Sequence, residues 1–98
     1  MKKIEVYQKK YNTSKIEEYY KIIGEIKKNS FDDFFPEKMY LSFDGDFLLK
    51  VNSSINNKYA SKINIAVIKI EKIGPDLEKE SNLEKMLKEK GFKKVEEK

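Results

Sequence analysis

Ile4 and Val6 alternate with Lys3, Glu5 and Tyr7, the period of two expected of a short, half-buried strand. Residues 8–13 are polar and read as a loop. Ser14-Lys15-Ile16-Glu17 has the form of a capping box, in which serine and glutamate side chains satisfy each other's backbone N–H groups. Beyond it, Ile16, Tyr19, Tyr20, Ile22, Ile23 and Ile26 recur at helical spacing. At about 100° per residue they fall within about 160° of arc, and Glu17, Glu18, Lys21, Glu25 and Lys28 fill the opposite side. This pattern predicts an amphipathic helix over 15–28, ended by Asn29-Ser30. Gly24 lies beside the stripe and weakens that helix by ~1 kcal/mol relative to alanine.

Phe31-Asp32-Asp33-Phe34-Phe35-Pro36 follows as an aromatic connector, with Pro36 disfavouring helix at Phe35. A hairpin is predicted next. Met39, Leu41 and Phe43 alternate with Tyr40 and Ser42, and Phe47, Leu49 and Val51 alternate with Leu48 and Lys50. Asp44-Gly45-Asp46 joins them. A two-residue turn placed at Asp44-Gly45 would pair Leu41 with Leu48 and mix the two faces. A three-residue loop with a bulge at Gly45 keeps Met39, Leu41, Phe47, Leu49 and Val51 together and is preferred on that ground.

Residues 52–62, with Ser53-Ser54 and Asn56-Asn57, read as a longer, mobile connection. Ile63 to Ile70 is the most strand-prone stretch. It is apolar on both sides, as a central strand covered on both faces, or one with a bulge near Val67, would be. Gly74-Pro75 stops it. Ser81-Asn82-Leu83-Glu84 is a second capping box. Leu83, Met86 and Leu87 make a narrow stripe on a helix over 82–90, with Gly91 at its C-cap. Residues 92–95 form a closing strand or an anchored tail, and 96–98 fray.

The order is β-α-β-β-β-α, with the closing strand left open. It implies an α+β fold of two layers: an antiparallel sheet of three to five strands with helices packed on it, in one domain spanning residues 1–98. One sheet face would hold Ile4, Val6, Met39, Leu41, Leu49, Val51, Ile63 and Ile65. The other would hold Tyr7, Tyr40, Leu48, Ala66, Ile68 and Ile70. The helix 15–28 covers only one of them, here taken as the first. The second, rimmed by Lys50 and Ser42, is then either a docking surface or covered by the helix 82–90 or the C-terminal segment.

Composition narrows the chemistry. The 98 residues include no cysteine or histidine, which removes disulfides, thiol nucleophiles, Cys-based zinc sites and the commonest general base. The four glycines lie far apart, so no phosphate-cradling loop exists. Oxygen ligands remain at Asp44, Asp46, Asp32, Asp33 and Glu37, but a DGD tripeptide is ordinary turn chemistry, and hard cations want several more converging oxygens. Neither metal nor cofactor is expected. A metal-free phosphodiesterase built on Tyr7, Tyr11, Tyr40, Lys50 and Glu37 is conceivable, though nothing in the spacing selects those residues.

All 21 basic residues are lysine, and the net charge is +4. Lysine doublets at Lys9-Lys10, Lys27-Lys28 and Lys93-Lys94, with Tyr11 beside the first, suit weak, sequence-independent, salt-dependent binding to nucleic acid. Without arginine there is no planar fork for reading bases. The basic start lacks an apolar h-region, since Glu5 interrupts it, and the longest apolar run, residues 65–68, is far too short to span a bilayer. A cytoplasmic location without a membrane partner is the expectation.

The favoured reading is a small non-catalytic domain that binds another protein, of the kind found among stoichiometric inhibitors such as immunity proteins and phage-encoded anti-defence factors. It would act through a sheet face (Tyr7, Tyr40, Leu48, Lys50, Ile68) or the aromatic connector. A homodimer is a further option for the partner. The runner-up is a lysine-driven nucleic-acid-binding domain using Lys9, Lys10, Tyr11, Lys27, Lys28, Lys93 and Lys94.

Overall fold

The computed structural model describes residues 2–28, 39–44, 47–59 and 63–96, with the side chains of 27–28, 39–44, 47–48 and 57–59 left undescribed. Its elements are β1 (Lys3–Asn12), a 3-10 turn (Thr13–Lys15), α1 (Glu17–Lys28), β2 (Met39–Asp44), β3 (Phe47–Tyr59), β4 (Ile63–Lys72), α2 (Asn82–Glu89) and β5 (Lys93–Val95). The described strands form one antiparallel sheet in the order β2-β3-β4-β1-β5. Both helices share a core cluster with one face of that sheet, so the fold is the two-layer α+β arrangement. The strand-prone stretch is its central strand, and residues 93–95 close the sheet beside β1.

Because residues directly opposite in an antiparallel ladder point to the same side, the register assigns each face. The helix-covered face carries Tyr7, Ala66, Ile68, Ile70, Leu49 and Val51, buried together with Tyr19, Ile22 and Ile26 of α1, Leu87 of α2, and Phe92. By register Tyr40 belongs to this face, opposite Val51. The opposite face carries Ile4, Val6, Ile63, Ile65 and Val67, and by register Met39, Leu41, Phe43 and Leu48. Among the described residues no helix stands on it.

Four expectations are corrected. First, β1 runs for ten residues through the polar stretch read as a loop. Its even positions Gln8, Lys10 and Asn12 belong to the helix-free face, so polarity there does not end the strand. Second, the Ser14–Glu17 capping box does not form. Asn12 caps the 3-10 turn by accepting from the Ser14 N–H at 3.2 Å, and α1 begins only at Glu17. Third, Asp44 pairs with Phe47, leaving two residues between the hairpin strands instead of three. The bulge expected at Gly45 lies outside the described residues. Fourth, residues 52–59 continue β3. Ser53 and Ile55 lie on the covered face while Asn52, Ser54 and Asn56 lie on the other, and the ladder is irregular between Asn56 and Tyr59, not near Val67.

The second capping box is present. Ser81 Oγ accepts from the Glu84 N–H at 3.2 Å, and a Glu84 carboxylate oxygen accepts from the Ser81 N–H at 2.7 Å. At the other end of α2, Phe92 N–H donates to Leu87 and Gly91 N–H to Lys88. This paired closure requires a left-handed residue, and Gly91 supplies it at φ +92°. A Cβ there would also lie 3.2 Å from the Lys9 ammonium. Gly24 differs: it sits within α1, and a Cβ would meet nothing within 4 Å. Gly24→Ala should therefore raise stability by about 0.5–1 kcal/mol, read as a higher urea midpoint with an unchanged m-value.

Candidate functional site

Two features stand out from the packing: a buried polar cluster under α2, and the helix-free sheet face. The cluster forms where β4 ends. Lys72, its last residue, turns onto the covered face and meets Glu84 of the first turn of α2 at 2.7 Å, with both side chains 2% exposed. The other Glu84 oxygen accepts from the Tyr7 hydroxyl at 2.8 Å. The Lys72 ammonium also donates to the Lys79 carbonyl at 2.9 Å. Next to it, Glu5 bridges Lys3 at 3.2 Å and Lys94 at 2.9 Å.

Burial alone pushes the Glu84 carboxyl up, but the Lys72 ammonium, the Ser81 backbone and the Tyr7 hydroxyl outweigh it and hold the group below its ordinary value. Burial likewise acts upward on Glu5 and is outweighed by Lys94 and Lys3. Burial first and the neighbouring Glu84 second push the Tyr7 phenol far above the usual range. A carboxylate, an ammonium and a phenol thus converge, but they are sealed from solvent and satisfy one another. That arrangement locks α2 and the segment before it to the sheet and offers a substrate no approach.

The helix-free face is laid out in rows by the register. One row crosses all five strands as Met39, Asn52, Lys69, Val6 and Val95. Beside it run Leu41, Lys50, Glu71 and Ile4 on one side, and Ser54, Val67, Gln8 and Lys93 on the other. Asn56, Ile65 and Lys10 follow. Ile4 and Ile63 are 45% and 38% exposed, whereas Val6 and Ile65 of the same face are buried. Lys10, Lys69 and Lys93 are exposed and Lys50 is half-buried. Among the strand residues of this face, Glu71 is the single carboxylate, bridged to Lys2 at 3.0 Å.

The residues singled out from sequence are distributed across both faces. Tyr7 and Ile68, 1% and 0% exposed, are core under the helices, which corrects their placement on an open surface. Tyr40 joins their face and Leu48 joins that of Lys50, by register. Apart from Leu49 and Val51, the face without a helix is therefore the one first assigned to the helix. Alternation also splits the lysine doublets. Lys10 and Lys93 belong to the helix-free face. Lys9 turns to the other side, donating to the Lys90 carbonyl at 2.5 Å and lying 4.9 Å over the Tyr11 ring, and Lys94 bridges Glu5. Tyr11 is buried, edge-on to Tyr19 and Phe92 at 6.3 and 6.2 Å, so it is no stacking platform.

The side chains of Lys27 and Lys28 lie outside those described. So does the whole aromatic connector, together with Asp32, Asp33, Glu37 and Asp46. The constellation Tyr7, Tyr11, Tyr40, Lys50 is divided between the two faces and does not converge. Among the described residues no group of three or more carboxylates gathers as a cation site, and no helix is long and apolar enough to cross a membrane. Sequence reasoning missed Lys72 and Glu84, although the Ser81–Glu84 capping signature pointed at one of the pair. Comparison with known proteins finds no family model, curated protein or solved structure that matches the chain.

Glu84→Gln leaves the Lys72 charge buried without its counter-charge and should cost about 3–5 kcal/mol. Adding Lys72→Met should recover much of that loss in a double-mutant cycle of urea midpoints. Both carboxyls that the cluster holds below the ordinary glutamate value of 4.5 contribute stability that is fully present above that pH and lost as pH falls through their depressed folded values. The acid limb of the stability curve should flatten in Glu84→Gln. Tyr11 behaves oppositely: its hydroxyl is buried with no partner, and burial pushes the phenol up to about 12. Tyr11→Phe should leave stability unchanged or raise it by up to about 1 kcal/mol in thermal melts.

Proposed function

We propose that this chain is a non-catalytic cytoplasmic binding domain that docks a protein partner on its helix-free sheet face, as small stoichiometric inhibitors do. One observation supports it above the others. The face combines exposed Ile4 and Ile63 with Lys10, Lys50, Lys69 and Lys93 against the single carboxylate Glu71. Apolar area supplies the affinity and the lysine excess selects a surface rich in Asp and Glu. The partner is therefore a protein whose apolar patch is rimmed by carboxylates.

The same lysine excess favours the nucleic-acid reading. Single-strand binding, however, draws much of its strength from aromatic platforms; among the described aromatic side chains Tyr7, Tyr11, Tyr19 and Phe92 are buried, and the exposed one, Tyr20, stands on α1, away from the lysines of the helix-free face. The protein reading is preferred on that ground.

Ile63→Asp and Lys69→Glu should keep the circular dichroism spectrum and melting temperature while each weakens partner capture by about tenfold or more. The measurement is affinity capture from source cytoplasm with wild type and variants in parallel. A discrete protein retained at one-to-one stoichiometry by wild type and lost by both variants supports the reading. Copurifying nucleic acid that washes off steeply with salt overturns it.

A further inference from the structure

The sheet ends in two unlike edges. At one, β5 is three residues long and carries Lys93 and Lys94, and β1 beyond it carries Lys3, Lys9 and Lys10. A short strand and lysines are the devices by which proteins stop an edge from pairing with another chain. At the other edge lies β2, whose six residues Met39-Tyr40-Leu41-Ser42-Phe43-Asp44 include no lysine, proline or glycine. It pairs with β3 on one side and, among the described residues, with no strand on the other.

We propose that β2 pairs with β2 of a second copy of this chain, antiparallel and with Leu41 on the two-fold axis. An antiparallel ladder has its two-fold axes normal to the sheet, so like faces join. The residue numbers of opposed partners must then sum to an even number. Centring on Leu41 sets Met39 of each chain against Phe43 of the other on the helix-free face, and Tyr40 against Ser42 on the covered face. The only charge in the strand, Asp44, lies at its end, so the two copies of it stand at opposite ends of the ladder and do not repel. The register thus sets Met39 against Phe43 and Leu41 against Leu41 and keeps the two copies of Asp44 apart, which favours a second copy over an unrelated strand. A ladder of this length is at the small end of stable interfaces, which sets dimerisation at roughly 10 µM to 1 mM.

The absence of cysteine makes the test specific. Opposed residues across an antiparallel ladder sit at about the separation a disulfide spans. Leu41→Cys should oxidise rapidly to a linked dimer. Ile4→Cys, on the same face near the other edge, should stay monomeric under the same conditions. Sedimentation of wild type should show the mass doubling across the stated concentrations. Leu41→Lys, which sets two ammonium groups at the axis, should hold the chain as a monomer with an unchanged circular dichroism spectrum. A wild-type monomer throughout, or cross-linking no faster at Leu41→Cys than at Ile4→Cys, overturns the proposal, whether or not a partner binds the sheet face.

Discussion

Lys72 and Glu84 are charges that the fold takes out of water, and an ion so moved costs several kcal/mol unless its remaining donors and acceptors are met. Here they are met. One Glu84 oxygen takes Lys72 and the Ser81 backbone, the other takes Tyr7, and Lys72 reaches the Lys79 carbonyl. The pair joins the last residue of the central strand to the first turn of α2. Its geometry is demanding in a way that apolar contact is not. Leu87 and Phe92 would tolerate small shifts of α2 across the sheet, but a 2.7 Å ion pair with an added phenol fixes where the helix sits. Hydrophobic burial supplies the driving force, and this cluster supplies the alignment.

The layers were legible in the sequence because amphipathic period is a robust signal. The stripe Ile16–Ile26 and the two-sided run Ile63–Ile70 each point to one answer, and the Ser81–Glu84 capping box formed as its residues imply. What was not legible has one physical source. A sheet face without a helix over it has no need of apolar residues, so Gln8, Lys10, Asn52, Ser54 and Asn56 look like loop while lying in strands. The hairpin register failed for a related reason. Both sides of Phe47–Val51 are apolar enough that amphipathicity could not choose between slips of one residue, and the choice fell on the wrong one. The slip moved Leu49 and Val51 to one face and Leu48 to the other.

The candidate site followed the same logic. Tyr7 and Ile68 were correctly grouped on one face, but which face the helices cover depends on α1 and α2 acting together, with Lys72 and Glu84 as the lock. That pairing spans 12 positions of sequence and has no local signature. Among the described residues, the cluster that brings a carboxylate, an ammonium and a phenol together is enclosed.

The division of lysines by strand alternation has an electrical consequence. On the covered side, cations lie against carboxylates: Lys72 with Glu84, Lys94 with Glu5, Lys88 with Glu80 and, more loosely, Lys9 with Glu18. On the side where no described helix stands, the strands carry four lysines and one carboxylate. Alternation thus gathers Lys10, Lys50, Lys69 and Lys93 on one side of the strands, where Glu71 is the single strand carboxylate. An acidic surface approaching that side meets clustered cations first, so it is the local potential of the patch, and not the formal charge of the chain, that steers the diffusional approach.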